Sequence, residues 1–126
     1  MRLIGAWSHG ILDYAIAVIF FVGPSSVGFV GKQAMICYAL GAVHLILTAL
    51  TRFPLGVKKV IGFPIHGAIE LVAAIMVLAM PWIAGFSAGV RSRNFFLLIG
   101  LLLAIIWFVT DYRGIGSQKA ESKKQK

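Results

Sequence analysis

The stretch LIGAWSHGILDYAIAVIFFV, residues 3–22, decides the fold. It is apolar nearly throughout. Its 20 residues match the length an α-helix needs to cross about 30 Å of hydrocarbon at about 1.5 Å per residue. A barrel strand would alternate apolar and polar residues, which this stretch does not do. A cleaved signal peptide fits no better: the run carries His9 and Asp13, exceeds the usual apolar region and lacks a small-residue cleavage site.

Three further stretches qualify on the same grounds, from about Gln33 to Thr51, Phe63 to Met80 and Phe95 to Tyr112. Breakers separate them at Gly23-Pro24-Ser25-Ser26, Phe53-Pro54-Leu55-Gly56 and Pro81 through Gly89. Pro64 falls in the first turn of the third helix, where a missing N–H does no harm. Composition agrees. Of 126 residues 60% are hydrophobic and 13% charged, with 14 glycines, whereas an ordinary soluble domain is about 45–50% apolar and about 25% charged. A soluble fold this short could not hide so much apolar surface. Disorder, collagen and a disulfide scaffold are excluded as well.

The net charge of +8 reads as topology. With the N-terminus inside, Arg2, Arg52, Lys58, Lys59, Arg113, Lys119, Lys123, Lys124 and Lys126 are cytoplasmic, nine against Lys32, Arg91 and Arg93 outside. Residues 114–126 form a basic cytoplasmic tail that either fixes topology as a solvated segment or lies on anionic lipid. Nucleic-acid binding is not supported, because the basic residues flank spans and no fold presents them.

A shift of 57 residues lays the first half on the second. Ile4, Gly5, His9, Gly10, Ala17, Pro24, Gly28 and Phe29 meet Ile61, Gly62, His66, Gly67, Ala74, Pro81, Gly85 and Phe86, and Asp13 meets Glu70. At a shift of 59, Gly41, Ile46 and Thr51 meet Gly100, Ile105 and Thr110. The expected fold is therefore an all-α, four-helix transmembrane bundle of two tandem two-helix hairpins, N-in and C-in. Repeat one covers about residues 3–53 and repeat two about 60–112, within a membrane domain of 1–113. A pseudo-two-fold axis along the membrane normal relates them. In the shared Pro-x-x-x-Gly-Phe, proline is expected to stop the helix, glycine to permit the turn and phenylalanine to anchor at the interface.

Met80-Pro81-Trp82-Ile83-Ala84-Gly85-Phe86 and its following apolar helix resemble the SPW-repeat family of small prokaryotic membrane proteins. Thr51 through Gly56, continuing over Pro64-Ile65-His66 to Glu70, is similar to the family's inter-repeat segment. The name-giving motif is incomplete: copy one reads Gly23-Pro24-Ser25 and copy two Met80-Pro81-Trp82. The resemblance implies a four-helix protein of a prokaryotic inner membrane and no particular chemistry.

Five ionisable residues lie inside the spans: His9, Asp13, His44, His66 and Glu70. Such residues are costly in hydrocarbon and face the bundle interior. His9 with Asp13, and His66 with Glu70, stand four apart on one helix face. Cys37, Gly41, His44, Thr48 and Thr51 form an inward stripe of small and polar groups on the second helix, with Gly100, Ala104 and Asp111 as a weaker counterpart on the fourth. Counting from the prolines places both carboxylates near the midplane; counting from Gln33 places His44 at a similar depth, and His9 and His66 lie one turn nearer the cytoplasm. Together the five would form one cluster in the inner half of the bundle.

Three readings of the cluster stand side by side. The first is polar packing in a small structural or accessory protein, with Gly10 and Gly67 letting helices one and three approach and Gly-rich faces available for homo-oligomers. The second is a cofactor site: His9, Asp13, His66 and Glu70 suit zinc or iron, or His9 and His66 are the axial ligands of haem b. The third is proton or ion permeation. No catalytic residue is assigned, because no P-loop, GxGxxG, CxxC, HExxH or GxSxG motif is present. Cys37 reads as packing, Trp7, Trp82, Trp107 and Tyr112 as interfacial aromatics, and Asp111 with Arg113 as a local ion pair.

Overall fold

The computed structural model describes residues 3–113; the basic tail, 114–126, and Arg2 lie outside the described residues. Four helices follow one another: α1 (Ala6–Val27), α2 (Lys32–Ala49), α3 (Phe63–Ile83) and α4 (Val90–Val109). Each is long and apolar enough to cross a membrane. Apart from two isolated bridges, the described residues contain no strand. The chain is an all-helical four-helix bundle.

Burial in this bundle is inverted relative to a soluble protein. Val43, Leu98 and Val72 are 60% exposed or more, while His9, Asp13 and His66 are 0% exposed. Apolar surface of that extent outside and charge inside is stable only where hydrocarbon replaces water. The core is filled by Ile16, Phe20, Val77, Phe96, Ile99 and Leu103.

Packing follows the repeat. The main contacts run within each hairpin, α1 on α2 and α3 on α4, and α1 with α4 joins the two. Across the axis the copies exchange their ends. Ile4 bridges to Thr110, and its repeat mate Ile61 bridges to Thr51. The start of each hairpin is thereby paired with the end of the other.

Several expected boundaries move. Pro24 and Pro81 lie inside their helices and do not stop them. Proline there costs one hydrogen bond, to the carbonyl four residues back. For Pro24 that carbonyl belongs to Phe20, and it accepts the Cys37 thiol at 3.2 Å. The stop comes at Gly28, whose left-handed φ of 89° closes α1 with the Gly28 and Phe29 N–H groups on the Pro24 carbonyl. Gly85 takes a φ of 76° at the matching turn. Phe29 and Phe86 are core residues, not interfacial anchors, because the turn folds them inward. Helix α4 begins five residues earlier than expected, at Val90, and ends at Val109. Residues 110–112 are thus freed to fold back, with the Asp111 N–H on the Ile4 carbonyl at 2.9 Å.

Candidate metal centre

The five ionisable residues of the spans come together. His9 and His66 enter from the first turns of α1 and α3, Asp13 and Glu70 one turn deeper on the same faces, and His44 from α2. All are buried. His9 Nε2 lies 3.1 Å from Asp13 Oδ2 and 3.2 Å from Glu70 Oε2. His66 Nε2 lies 2.9 Å from Asp13 Oδ2 and 3.9 Å from Glu70 Oε2. The two Nε2 atoms are 3.3 Å apart.

The outer nitrogens fix the tautomers. His66 Nδ1 is 2.7 Å from Thr51 Oγ1, and His9 Nδ1 is 2.8 Å from Thr110 Oγ1. Each threonine hydroxyl already donates its single hydrogen to the carbonyl four residues back, Leu47 for Thr51 and Ile106 for Thr110. Each Oγ1 must therefore accept, and each Nδ1 must carry the proton. In the neutral imidazoles both Nε2 atoms then present lone pairs, to each other and to two carboxylates. Asp13 Oδ1 and Glu70 Oε1 have no hydrogen-bond partner, and Asp13 Oδ2 meets only the two Nε2 atoms, although buried polar groups almost always have a donor.

Either added protons or a metal ion would satisfy this arrangement, and its spacing suits a metal. Around a tetrahedral zinc with bonds of about 2.0–2.2 Å, ligand atoms stand about 3.3–3.6 Å apart. The four distances from histidine to carboxylate and the one between histidines run from 2.9 to 3.9 Å. One ligand atom from each of His9, Asp13, His66 and Glu70 lies within 4.8 Å of the others. As metal ligands, two deprotonated carboxylates and two neutral imidazoles would carry a charge of −2, which a divalent ion would balance where an uncompensated charge is expensive. The threonines occupy the outer hydrogen-bonding positions that would orient these histidines as ligands.

The same closeness excludes haem between His9 and His66. Carboxylate oxygens fill the space between the two Nε2 atoms, and no slot for a macrocycle remains.

The chain matches no protein-family model, no curated protein and no solved structure.

The site is capped by aromatic rings. Phe53, Phe63 and Tyr112 form a second buried cluster at the end of the bundle that carries residues 3 and 113. Phe63 and Tyr112 each stand 5.3 Å from the His9 ring, centroid to centroid. Gly10 and Gly67 make room for this cap, which corrects their expected role between helices one and three. A Cβ on Gly10 would stand 2.7 Å from Phe53 Cε2, and one on Gly67 2.8 Å from Tyr112 Cδ1. Tyr112 is not an interfacial aromatic, because its phenol donates to Glu70 Oε2. Burial and the adjacent Glu70 carboxylate push that phenol well above its ordinary range, so it stays protonated.

Two residues break the two-fold symmetry. At the shift of 59, Tyr112 corresponds to Phe53 and His44 to Leu103. Each carboxylate thus gains one neighbour of its own: Glu70 the Tyr112 phenol, Asp13 the His44 ring, with Nε2 3.7 Å from Oδ1. The Cys37–Thr51 stripe is buried throughout, as expected. Thr110 and Tyr112 were not among the expected site residues. The repeat pointed to Thr110 through its match with Thr51; Tyr112 had no such signal, since its mate is a phenylalanine.

Proposed function

We propose that the chain is a small accessory protein of a prokaryotic inner membrane, of the SPW-repeat type, with both termini cytoplasmic and one divalent metal ion held between its two hairpins. His9 Nε2, His66 Nε2 and one oxygen each of Asp13 and Glu70 are the ligands. Thr51 and Thr110 orient the imidazoles, and Tyr112 positions Glu70. Zinc and iron suit this nitrogen and oxygen donor set.

The observation that carries the reading is the pair of Nε2 lone pairs 3.3 Å apart, each fixed in place by a threonine that can only accept. Polar packing without metal needs added protons on these rings or carboxyl groups, since otherwise the nitrogens stand opposed and Asp13 Oδ1 and Glu70 Oε1 have no partner, at about 1–3 kcal/mol for each buried unsatisfied group. Permeation is less well supported. Ile16, Phe20, Phe96 and Ile99 fill the core on the side of the cluster away from residues 3 and 113.

The test is metal content after purification in mild detergent without chelator. One zinc or iron per chain is expected, with less than a tenth of that in the His9→Ala/His66→Ala variant. Equal, trace metal in both would return the cluster to a packing role.

A further inference from the structure

Basic residues gather at the end of the bundle where both hairpins turn. Lys32 and Arg91, equivalent at the shift of 59, stand at the starts of α2 and α4, and Arg93 follows two residues on. Among the described residues no acid stands at this end: Asp13 and Glu70 lie in the cluster, and Asp111 follows α4 at the opposite end.

The two arginines are not alike. Arg93 is spent within the protein, donating to the Ser87 carbonyl and to Asn94 Oδ1, both at 3.3 Å. Arg91 crosses to the other hairpin, where its Nη1 lies 3.0 Å from the place a Cβ on Gly28 would take. It has no hydrogen-bond or ion-pair partner among the described residues. With Gly28, Phe29, Val30, Gln33 and Ser92 among others, it lines a hollow of about 350 Å3. Ser92 gives its hydroxyl hydrogen to the Gly89 carbonyl at 3.2 Å. The side-chain donors left in this hollow are the Arg91 guanidinium and the Gln33 amide.

A second hollow, of about 480 Å3, shares Gly28, Phe29 and Val30 with the first and continues along α2 past Ala34 and Met35 to Tyr38. Its wall is mainly apolar. Met35 is 67% exposed on a helix long and apolar enough to cross a membrane. Tyr38 is six residues beyond Lys32, so this hollow descends about 9 Å from the start of α2. The two form one path, cationic at the end of the bundle and apolar along its side.

We infer that this path holds one anionic phospholipid of the adjacent leaflet, with its phosphate on Arg91 and Gln33 and an acyl chain along Ala34, Met35 and Tyr38. The inference is independent of the metal reading. A guanidinium fork matches phosphate oxygens, and basic pockets between membrane helices take lipid headgroups. A choline headgroup would set its ammonium among Lys32, Arg91 and Arg93, where no described acid balances it. A soluble anion would leave the apolar hollow unfilled.

Native mass spectrometry of protein released from detergent tests this. Offered equimolar phosphatidylglycerol and phosphatidylcholine with the same chains, the wild type should retain one phosphatidylglycerol per chain. The preference should be about tenfold, the weight of one charge-assisted hydrogen bond. Arg91→Gln should abolish it. Arg93→Gln removes the same charge from the same end and should keep it. Val30→Trp, which sets a ring on an exposed residue shared by both hollows, should lower retention if Arg91→Gln fails to fold. Equal retention of the two lipids by the wild type would mean annular lipid only and overturn the inference. Equal losses in Arg91→Gln and Arg93→Gln, the mark of diffuse charge attraction, would overturn it too. So would displacement of the lipid by glycerol phosphate, which has the headgroup chemistry without the chains.

Discussion

His9 and His66, one from each repeat, point their Nε2 atoms at each other 3.3 Å apart, and a neutral ring that carries its hydrogen on Nδ1 has none to place there. Both protons are held on the far side, on Nδ1, by Thr110 and Thr51. In the proposed metal centre these two nitrogens and two carboxylates are the ligands, and the repeat contributes one histidine and one acid from each half.

Thr51→Val and Thr110→Val keep side-chain shape but remove the acceptor. Each is expected to weaken metal binding about 10–100-fold, the usual effect of losing an outer hydrogen bond to a ligating histidine. Competition with a chromophoric chelator measures this. The serine variants should bind like wild type, and a valine variant with unchanged affinity would show that the threonines do not orient the rings.

Tyr112→Phe places in the second repeat the residue already present in the first. It strips Glu70 of its phenol donor. A loss of about 1–3 kcal/mol in the stability of the metal-free protein is expected, read from unfolding in detergent. A transition superimposable on that of the wild type would contradict the assigned bond.

Gly10→Ala and Gly67→Ala drive a methyl into the aromatic cap, 2.7 Å from Phe53 and 2.8 Å from Tyr112. Overpacking of this kind costs about 1–3 kcal/mol. Combining Gly10→Ala with Phe53→Leu should recover part of the loss, because the ring edge is what the methyl meets. No recovery would mean that the glycine serves the backbone and not the cap.

Protons are the competing cations. Imidazole and carboxylate ligands must be deprotonated to bind metal, so loading releases protons and affinity falls as pH falls. Calorimetry in two buffers of different ionisation enthalpy should register the release. Affinity that stays level from about pH 8 down to about pH 5, the range in which an ordinary histidine titrates, would count against imidazole ligands. Metal at about a hundredfold over its dissociation constant should add about 2.7 kcal/mol of stability, lost on chelation.

Much of this was legible in the sequence because period and repeat act together. Four-residue spacing put His9 with Asp13 and His66 with Glu70 on single faces, and the 57-residue shift made the pairs equivalent. What lay beyond reach depended on chain reversals past helix ends. Tyr112 reads as the last residue of an apolar span until Thr110 leaves the helix and turns the phenol onto Glu70. Pro24 reads as a stop because local rules price its missing N–H; the compensating Cys37 thiol comes from a different helix. Gly10 and Gly67 read as helix-contact glycines because no local pattern reveals that Phe53 and Tyr112 fold back over them.

X-ray absorption at the metal edge of the loaded protein reads the ligand set itself. The account requires two imidazole nitrogens and two carboxylate oxygens at about 2.0–2.2 Å, with the imidazole scattering lost in His9→Ala/His66→Ala. A first shell of oxygen alone, unchanged by removing both histidines, would contradict it.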